Sequence, residues 1–66
     1  MSNGTVKWFN DEKGFGFIIP EEGGKDIFVH RSNLDTPGQI LQEEQHVVYE
    51  IGDGRKGPEA KAVRIA

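Results

Sequence analysis

Lys13-Gly14-Phe15-Gly16-Phe17-Ile18 is the stretch of this 66-residue sequence that decides the fold. Residues two apart in a strand point to the same face, so a strand here places Phe15 and Phe17 side by side. The glycines and Ile18 point to the other face, where the glycines leave room for another segment to pack closely. A lysine beside exposed rings is the chemistry of a platform on which unpaired nucleobases stack. The stretch therefore predicts a strand that binds single-stranded nucleic acid.

Length and composition favour a single small β domain over residues 1–66. Such a chain buries one small core, and its nine glycines and three prolines favour strands and turns. It has no cysteine, so disulfides and thiolate metal sites are excluded. No apolar run approaches the roughly 20 residues that cross a bilayer, and the polar N-terminus is no signal peptide. We expect a cytoplasmic monomer without a membrane partner.

The net charge of −3 counts against nucleic-acid binding, because the usual footprint of such proteins is basic. The distribution of charge along the sequence makes this argument against binding weaker. Basic residues fall in or near the stretches that carry the rings, namely Lys7, Lys13, Arg31, Arg55 and Lys56. The acids cluster elsewhere, at Glu21, Glu22, Asp35, Glu43 and Glu44. This pattern predicts a local basic groove on an acidic body, with modest affinity and few phosphate contacts.

Alternation of apolar and polar residues, punctuated by turn signals, predicts five short strands. They fall at residues 5–10, 15–19, 26–30, 45–51 and 59–65, with Pro20 ending the second. Residues 31–34 suit one helical turn, and residues 52–58 a flexible basic loop. The long connection over 35–44 suits a crossover better than a meander. We therefore predict an all-β, five-stranded antiparallel Greek-key barrel of OB type.

The same alternation divides each strand into a core face and an outer face. The residues predicted to point inward are Val6, Ile18, Ile27, Val29, Leu34, Ile40, Leu41, Val47, Tyr49, Ile51, Val63 and Ile65. Burying Phe15, Phe17 and Phe28 as well would require a second layer that 66 residues cannot supply. These rings are therefore predicted to be exposed, and a contiguous exposed aromatic patch usually marks a binding site.

Phe28 and His30 form a second cluster, because they alternate with the core residues Ile27 and Val29. Paired antiparallel with the Phe15/Phe17 strand, they would extend one ring surface. Trp8 adjoins it if a bend or bulge brings both Trp8 and Phe9 partly to the surface. Beside Trp8, the side chains of Lys7 and Asn10 suit a phosphate and a base edge.

The sequence lacks the residue arrangements that catalysis or cofactor binding requires. His30 has no ligand partners at metal-binding spacing, and no Ser/His/Asp or paired-carboxylate arrangement is evident. Gly14-Phe15-Gly16 lacks the third glycine of a dinucleotide motif and the ending of a P-loop. We expect no enzyme activity, cofactor, metal or small-molecule substrate. The alternative function is a protein-interaction barrel that binds a peptide on the aromatic patch.

Two known families share the Lys-Gly-Phe-Gly-Phe-Ile pattern. In RNA-recognition-motif domains it lies on a late strand, after a helix and its partner motif, whereas here it precedes its partner, residues 27–30. With the motifs in this order, the whole chain resembles a bacterial cold-shock protein. Matches lie at residues 4–10, 13–18, 26–30 and 57–58.

This resemblance implies an OB-type barrel that binds single-stranded RNA and DNA. It also implies a role in cold adaptation, where such proteins keep messenger RNA unstructured, and in transcription antitermination. The residues it places on the binding surface are Lys7, Trp8, Asn10, Lys13, Phe15, Phe17, Asp26, Phe28, His30 and Lys56.

Two positions depart from the family pattern. Arg31 and Gln39 stand where such proteins commonly carry aromatic residues, and the long loop is a residue short. The planar guanidinium of Arg31 can partly replace a ring by stacking or by contacting phosphate, so we add Arg31 to the predicted surface. We expect binding at that end of the groove to be weaker or differently placed.

Overall fold

The structure is a computed structural model that describes residues 1–54 and 57–66. It confirms the predicted five-stranded barrel, which is closed in the order β1-β2-β3-β5-β4. The strands are β1 (Ser2–Asn10), β2 (Phe15–Pro20), β3 (Ile27–His30), β4 (His46–Gly54) and β5 (Gly57–Ile65). Two single turns of 3₁₀ helix, Arg31–Asn33 and Pro37–Gln39, lie in the crossover between β3 and β4. No helix in the described part of the chain is long and apolar enough to cross a membrane.

One strand pair departs from the antiparallel prediction. β3 and β5 run parallel, with Phe28 opposite Glu59 and Val29 opposite Ala60, while the other four neighbouring pairs are antiparallel. A closed ring of five strands cannot alternate in direction throughout, because five is odd. The parallel pair is therefore a consequence of closure, and it brings the start of β5 beside the ring-bearing strand β3.

β1 contains an irregularity that determines where its aromatic residues lie. Its register against β2 shifts between Val6 and Trp8. Val6 is buried, Lys7 is exposed, and both Trp8 and Phe9 are half-buried. Phe9 packs against the core, whereas Trp8 lies opposite Phe17 of β2. The bulge thus has the predicted effect of leaving both rings partly at the surface.

The core lies inside the barrel and confirms most of the predicted inward set. Its buried members are Val6, Ile18, Ile27, Val29, Leu34, Leu41, Val47, Tyr49, Ala60 and Val63. The prediction is wrong for three residues, which lie at the surface: Ile40, Ile51 and Ile65 are 42%, 58% and 44% exposed.

Each of the three has a local cause. Ile40 has an extended backbone next to Leu41, and since neighbours in an extended segment point opposite ways, only Leu41 enters the core. Ile51 lies beyond Tyr49, where the pairing of β4 with β1 ends, so no third strand covers it. Ile65 is the last residue of β5.

The predicted loop over residues 52–58 also needs correction. β4 continues to Gly54 and β5 begins at Gly57, with these two residues paired. The two strands therefore form a long hairpin. Strand pairing also extends β1 back to Ser2, opposite Tyr49.

Candidate nucleic-acid interface

Four aromatic side chains form a continuous surface across β1, β2 and β3. The ring of Trp8 lies 5.8 Å from that of Phe15 and 5.3 Å from that of Phe17, centroid to centroid. Phe28 lies 5.8 Å from both Phe15 and Phe17. All four residues are half-buried and lie outside the buried core. We call Trp8, Phe15, Phe17 and Phe28 the aromatic platform.

Strand register explains why these rings meet. Phe17 lies opposite both Trp8 on β1 and Phe28 on β3, so the three side chains share one face of the sheet. Gly16 is on the opposite face, where β1 crosses closely. A Cβ atom on Gly16 would lie 2.8 Å from the Cα of Phe9. The glycine between the two phenylalanines is therefore required for the approach of the bulged strand.

Lys7 and Asp26 form an ion pair at the surface. The Lys7 Nζ donates to Asp26 Oδ2 at 2.9 Å, and both side chains are substantially exposed. Such pairs contribute little to stability. A phosphate that contacts Lys7 therefore competes with Asp26 at modest cost.

The turn between β1 and β2 is built on Asn10. Its Oδ1 accepts the backbone N–H of Lys13 at 2.9 Å, and its carbonyl accepts that of Gly14 at 2.7 Å. Gly14 has a φ of 77°, which favours glycine. The side-chain oxygen of Asn10 is thus engaged in the turn that presents the exposed Lys13.

His30 has a defined ring orientation. Its Nδ1 accepts the backbone N–H of Ser32 at 3.1 Å and lies 2.9 Å from Ser32 Oγ. An accepting Nδ1 places the ring proton on Nε2. His30 is exposed opposite Phe15 at the border of the platform, and its Nε2–H has no hydrogen-bond partner among the described residues.

Arg31 is tied to the β1–β2 turn. Its Nη2 donates to the carbonyl of Asp11, and its backbone N–H donates to that of Gly14 at 2.8 Å. A Cβ on Gly14 would lie 3.6 Å from Cζ of Arg31, so the guanidinium covers this glycine. The side chain thus lies beside the platform and stabilises the turn, in addition to carrying charge.

Two further positions that the sequence singles out are Lys56 and Gln39. Lys56, which the resemblance places on the binding surface, lies outside the described residues, as does Arg55. Gln39 is exposed, with a φ of 53° at the end of the second 3₁₀ turn.

One residue of this face escaped prediction. Glu59 lines a cleft of about 510 Å³ together with Phe28, His30, Ser32, Gly54, Gly57 and Pro58. The sequence predicts for Glu59 only that it begins the last strand. No local sequence pattern predicts that β5 lies beside β3, so the sequence does not indicate that Glu59 belongs to this face.

Comparison with known proteins defines the class. A family profile for the 'Cold-shock' DNA-binding domain matches residues 2–66. With the barrel and its aromatic face, this match shows that the chain belongs to the cold-shock domain family.

Several known proteins are similar in sequence to this chain over nearly its whole length. The chain is 54% identical over 65 residues to "Probable cold shock protein A" of Mycolicibacterium smegmatis, covering 97% of each. It is 53% identical over 67 residues to "Cold shock protein ScoF" of Streptomyces coelicolor, covering 100% of each. It is also 57% identical over 61 residues to "Cold shock-like protein CspE" of Escherichia coli K12, covering 91% of this chain and 88% of that one.

A solved structure supports the fold alone. The chain resembles drosophila Unr CSD456 with a TM-score of 0.82 at 17% identity, over 98% of this chain and 26% of that longer one.

Proposed function

We propose that this protein binds single-stranded RNA and DNA across the aromatic platform, without preference for one strict sequence. The observation that carries the proposal is the set of four half-exposed rings, spaced 5.3 to 5.8 Å apart on one face of the barrel. Rings in this arrangement stack successive bases, each contributing roughly 1–3 kcal/mol. The proposed surface comprises Lys7, Trp8, Asn10, Lys13, Phe15, Phe17, Asp26, Phe28, His30, Arg31 and Lys56.

The proposed role in the cell follows from a preference for unpaired strands. A protein that binds only the open form of an RNA hairpin shifts its folding equilibrium by mass action. No catalytic step or cofactor is needed. We infer that a cytoplasmic monomer, one domain over residues 1–66, destabilises RNA structure as an RNA chaperone. The names of the relatives support a role in cold adaptation, and antitermination is a further proposed consequence.

Fluorescence of Trp8 tests this function directly, because it is the only tryptophan of the chain. Oligo-dT should quench it as bases stack on the platform. The logarithm of the affinity should fall linearly with the logarithm of salt concentration, with a shallow slope of roughly −2 for about three phosphate contacts. No response to any single-stranded RNA or DNA would contradict the proposal and favour the peptide-binding alternative.

A further inference from the structure

The cleft beyond Phe28 combines a stacking ring with a carboxylate. Phe28 and Glu59 are opposite each other in the parallel pair of β3 and β5, and adjacent strands lie about 4.8 Å apart. Both residues line the cleft, with His30 at its side. A base stacked on Phe28 would therefore turn its edge towards Glu59.

The Glu59 carboxylate is held in place and is largely shielded from solvent. Its Oε1 accepts the Nδ2–H of Asn33 at 3.2 Å, and its Oε2 lies 3.6 Å from Nζ of Lys61. The side chain is 15% exposed, and it lies against Gly54, where an added Cβ would be 2.9 Å from Cβ of Glu59. A carboxylate has about four acceptor sites, so these contacts leave acceptor capacity for a ligand in the cleft.

The chemistry of this acceptor discriminates between bases. An ionised carboxylate only accepts hydrogen bonds, and it pairs with the amino group of cytosine. Uracil and thymine present a carbonyl oxygen at the same ring position, which a carboxylate repels. In a shielded cleft both effects are stronger than in water, and a repulsive contact adds to specificity as an attractive one does.

We propose that Glu59 is a specificity-determining residue, which accepts the amino N–H of a base stacked on Phe28 and so favours cytosine over uracil there. The inference rests on the proposed single-strand binding and adds to it a choice of base at one position. The platform rings themselves tolerate any base.

The heptamers dC7 and dU7 test the inference, because their bases differ only in the amino or carbonyl group at C4 and in the proton that uracil carries on the neighbouring N3. Their affinities are measured by Trp8 fluorescence for the unmodified protein and for Glu59→Gln. The glutamine keeps the shape and the acceptor for Asn33, but its amide N–H can donate to the uracil carbonyl. The ratio Kd(dU7)/Kd(dC7) should fall by at least about fivefold, whatever the other positions prefer.

Two further variants separate recognition from charge. Glu43→Gln removes the same charge from an exposed site in the crossover before β4, so it should change both affinities alike and leave the ratio unchanged. Glu59→Asp keeps the charge but withdraws the carboxylate by one methylene, so it should lower the ratio. Thermal unfolding confirms that each variant is folded.

The outcomes are distinguishable. An unchanged ratio in both Glu59 variants, with binding retained, overturns the role of Glu59 and leaves single-strand binding intact. Equal ratio changes in Glu43→Gln and Glu59→Gln overturn it as well, since they report overall charge. Failure of the unmodified protein to bind either heptamer overturns the proposed function itself.

Discussion

At the scale of single residues, Tyr49 is a core residue whose polar group is unfavourable for folding. It is fully buried, and its hydroxyl has no hydrogen-bond partner among the described residues. Burial raises the pKa of the Tyr49 phenol, and the negative charge of Glu22 raises this pKa further. The ring supports the barrel, while the hydroxyl costs folding energy.

Replacing Tyr49 with phenylalanine should therefore stabilise the protein by about 1 kcal/mol near neutral pH, since a buried unpaired hydroxyl carries a desolvation penalty. Urea denaturation of both proteins measures the difference. A loss of more than about 1 kcal/mol would show that the hydroxyl is hydrogen-bonded after all.

The pH dependence of stability gives a second test of Tyr49. A phenol whose pKa is higher in the folded state keeps its proton while the unfolded chain loses it. Folding is then stabilised fully below the unfolded pKa of about 10 and progressively less above it. Above pH 10, the unmodified protein should lose stability more steeply than Tyr49→Phe. Tyr49 is the only tyrosine, so parallel pH curves would contradict the raised pKa.

At the scale of elements, the β1–β2 turn joins the platform to its charged flank. Asn10 forms the turn from within, and Arg31 ties it to the end of β3 through the Asp11 carbonyl. The sequence predicted a guanidinium that replaces a missing ring. The contacts of Arg31 show that it also has a structural partner, which no spacing rule reveals because its partner is a backbone atom 20 positions away.

Arg31→Ala should thus act on both binding and stability. Loss of a phosphate contact should weaken single-strand affinity and reduce the magnitude of the salt slope by about 0.7. Loss of the hydrogen bond to Asp11 should cost about 1 kcal/mol of unfolding free energy. Salt-dependent titrations and denaturation measure the two effects.

Arg64→Ala is the matched control for this substitution. Arg64 is exposed on β5, where its Nη2 contacts Met1 Sδ at 3.6 Å, so the variant removes one positive charge outside the proposed surface. It should change the slope much less. Equal effects of the two variants, or no effect of Arg31→Ala, would contradict the assigned role.

At the scale of the whole molecule, period-two alternation explains what the sequence could predict. Which face of its strand a residue occupies is a local property. The pattern therefore predicts the core residues Val6, Ile18 and Val29, and it places the aromatic rings on the opposite face. Which strand covers which residue is a non-local property. The pattern therefore places Ile51 wrongly in the core and gives no signal for Glu59, because both depend on where β4 and β5 lie in the closed ring.

The most direct test of the platform is the joint substitution of Phe15, Phe17 and Phe28 by alanine, with Ile18→Ala as the control inside the core. The measurements are dT7 affinity and unfolding free energy on the same samples. We expect the triple variant to lose at least about 100-fold in affinity while remaining folded. Ile18→Ala should lose about 2–5 kcal/mol of stability, yet bind dT7 through its folded fraction. Unchanged dT7 affinity in the folded triple variant, or a collapse of folding greater than that of Ile18→Ala, would contradict an aromatic binding face on the outside of this barrel.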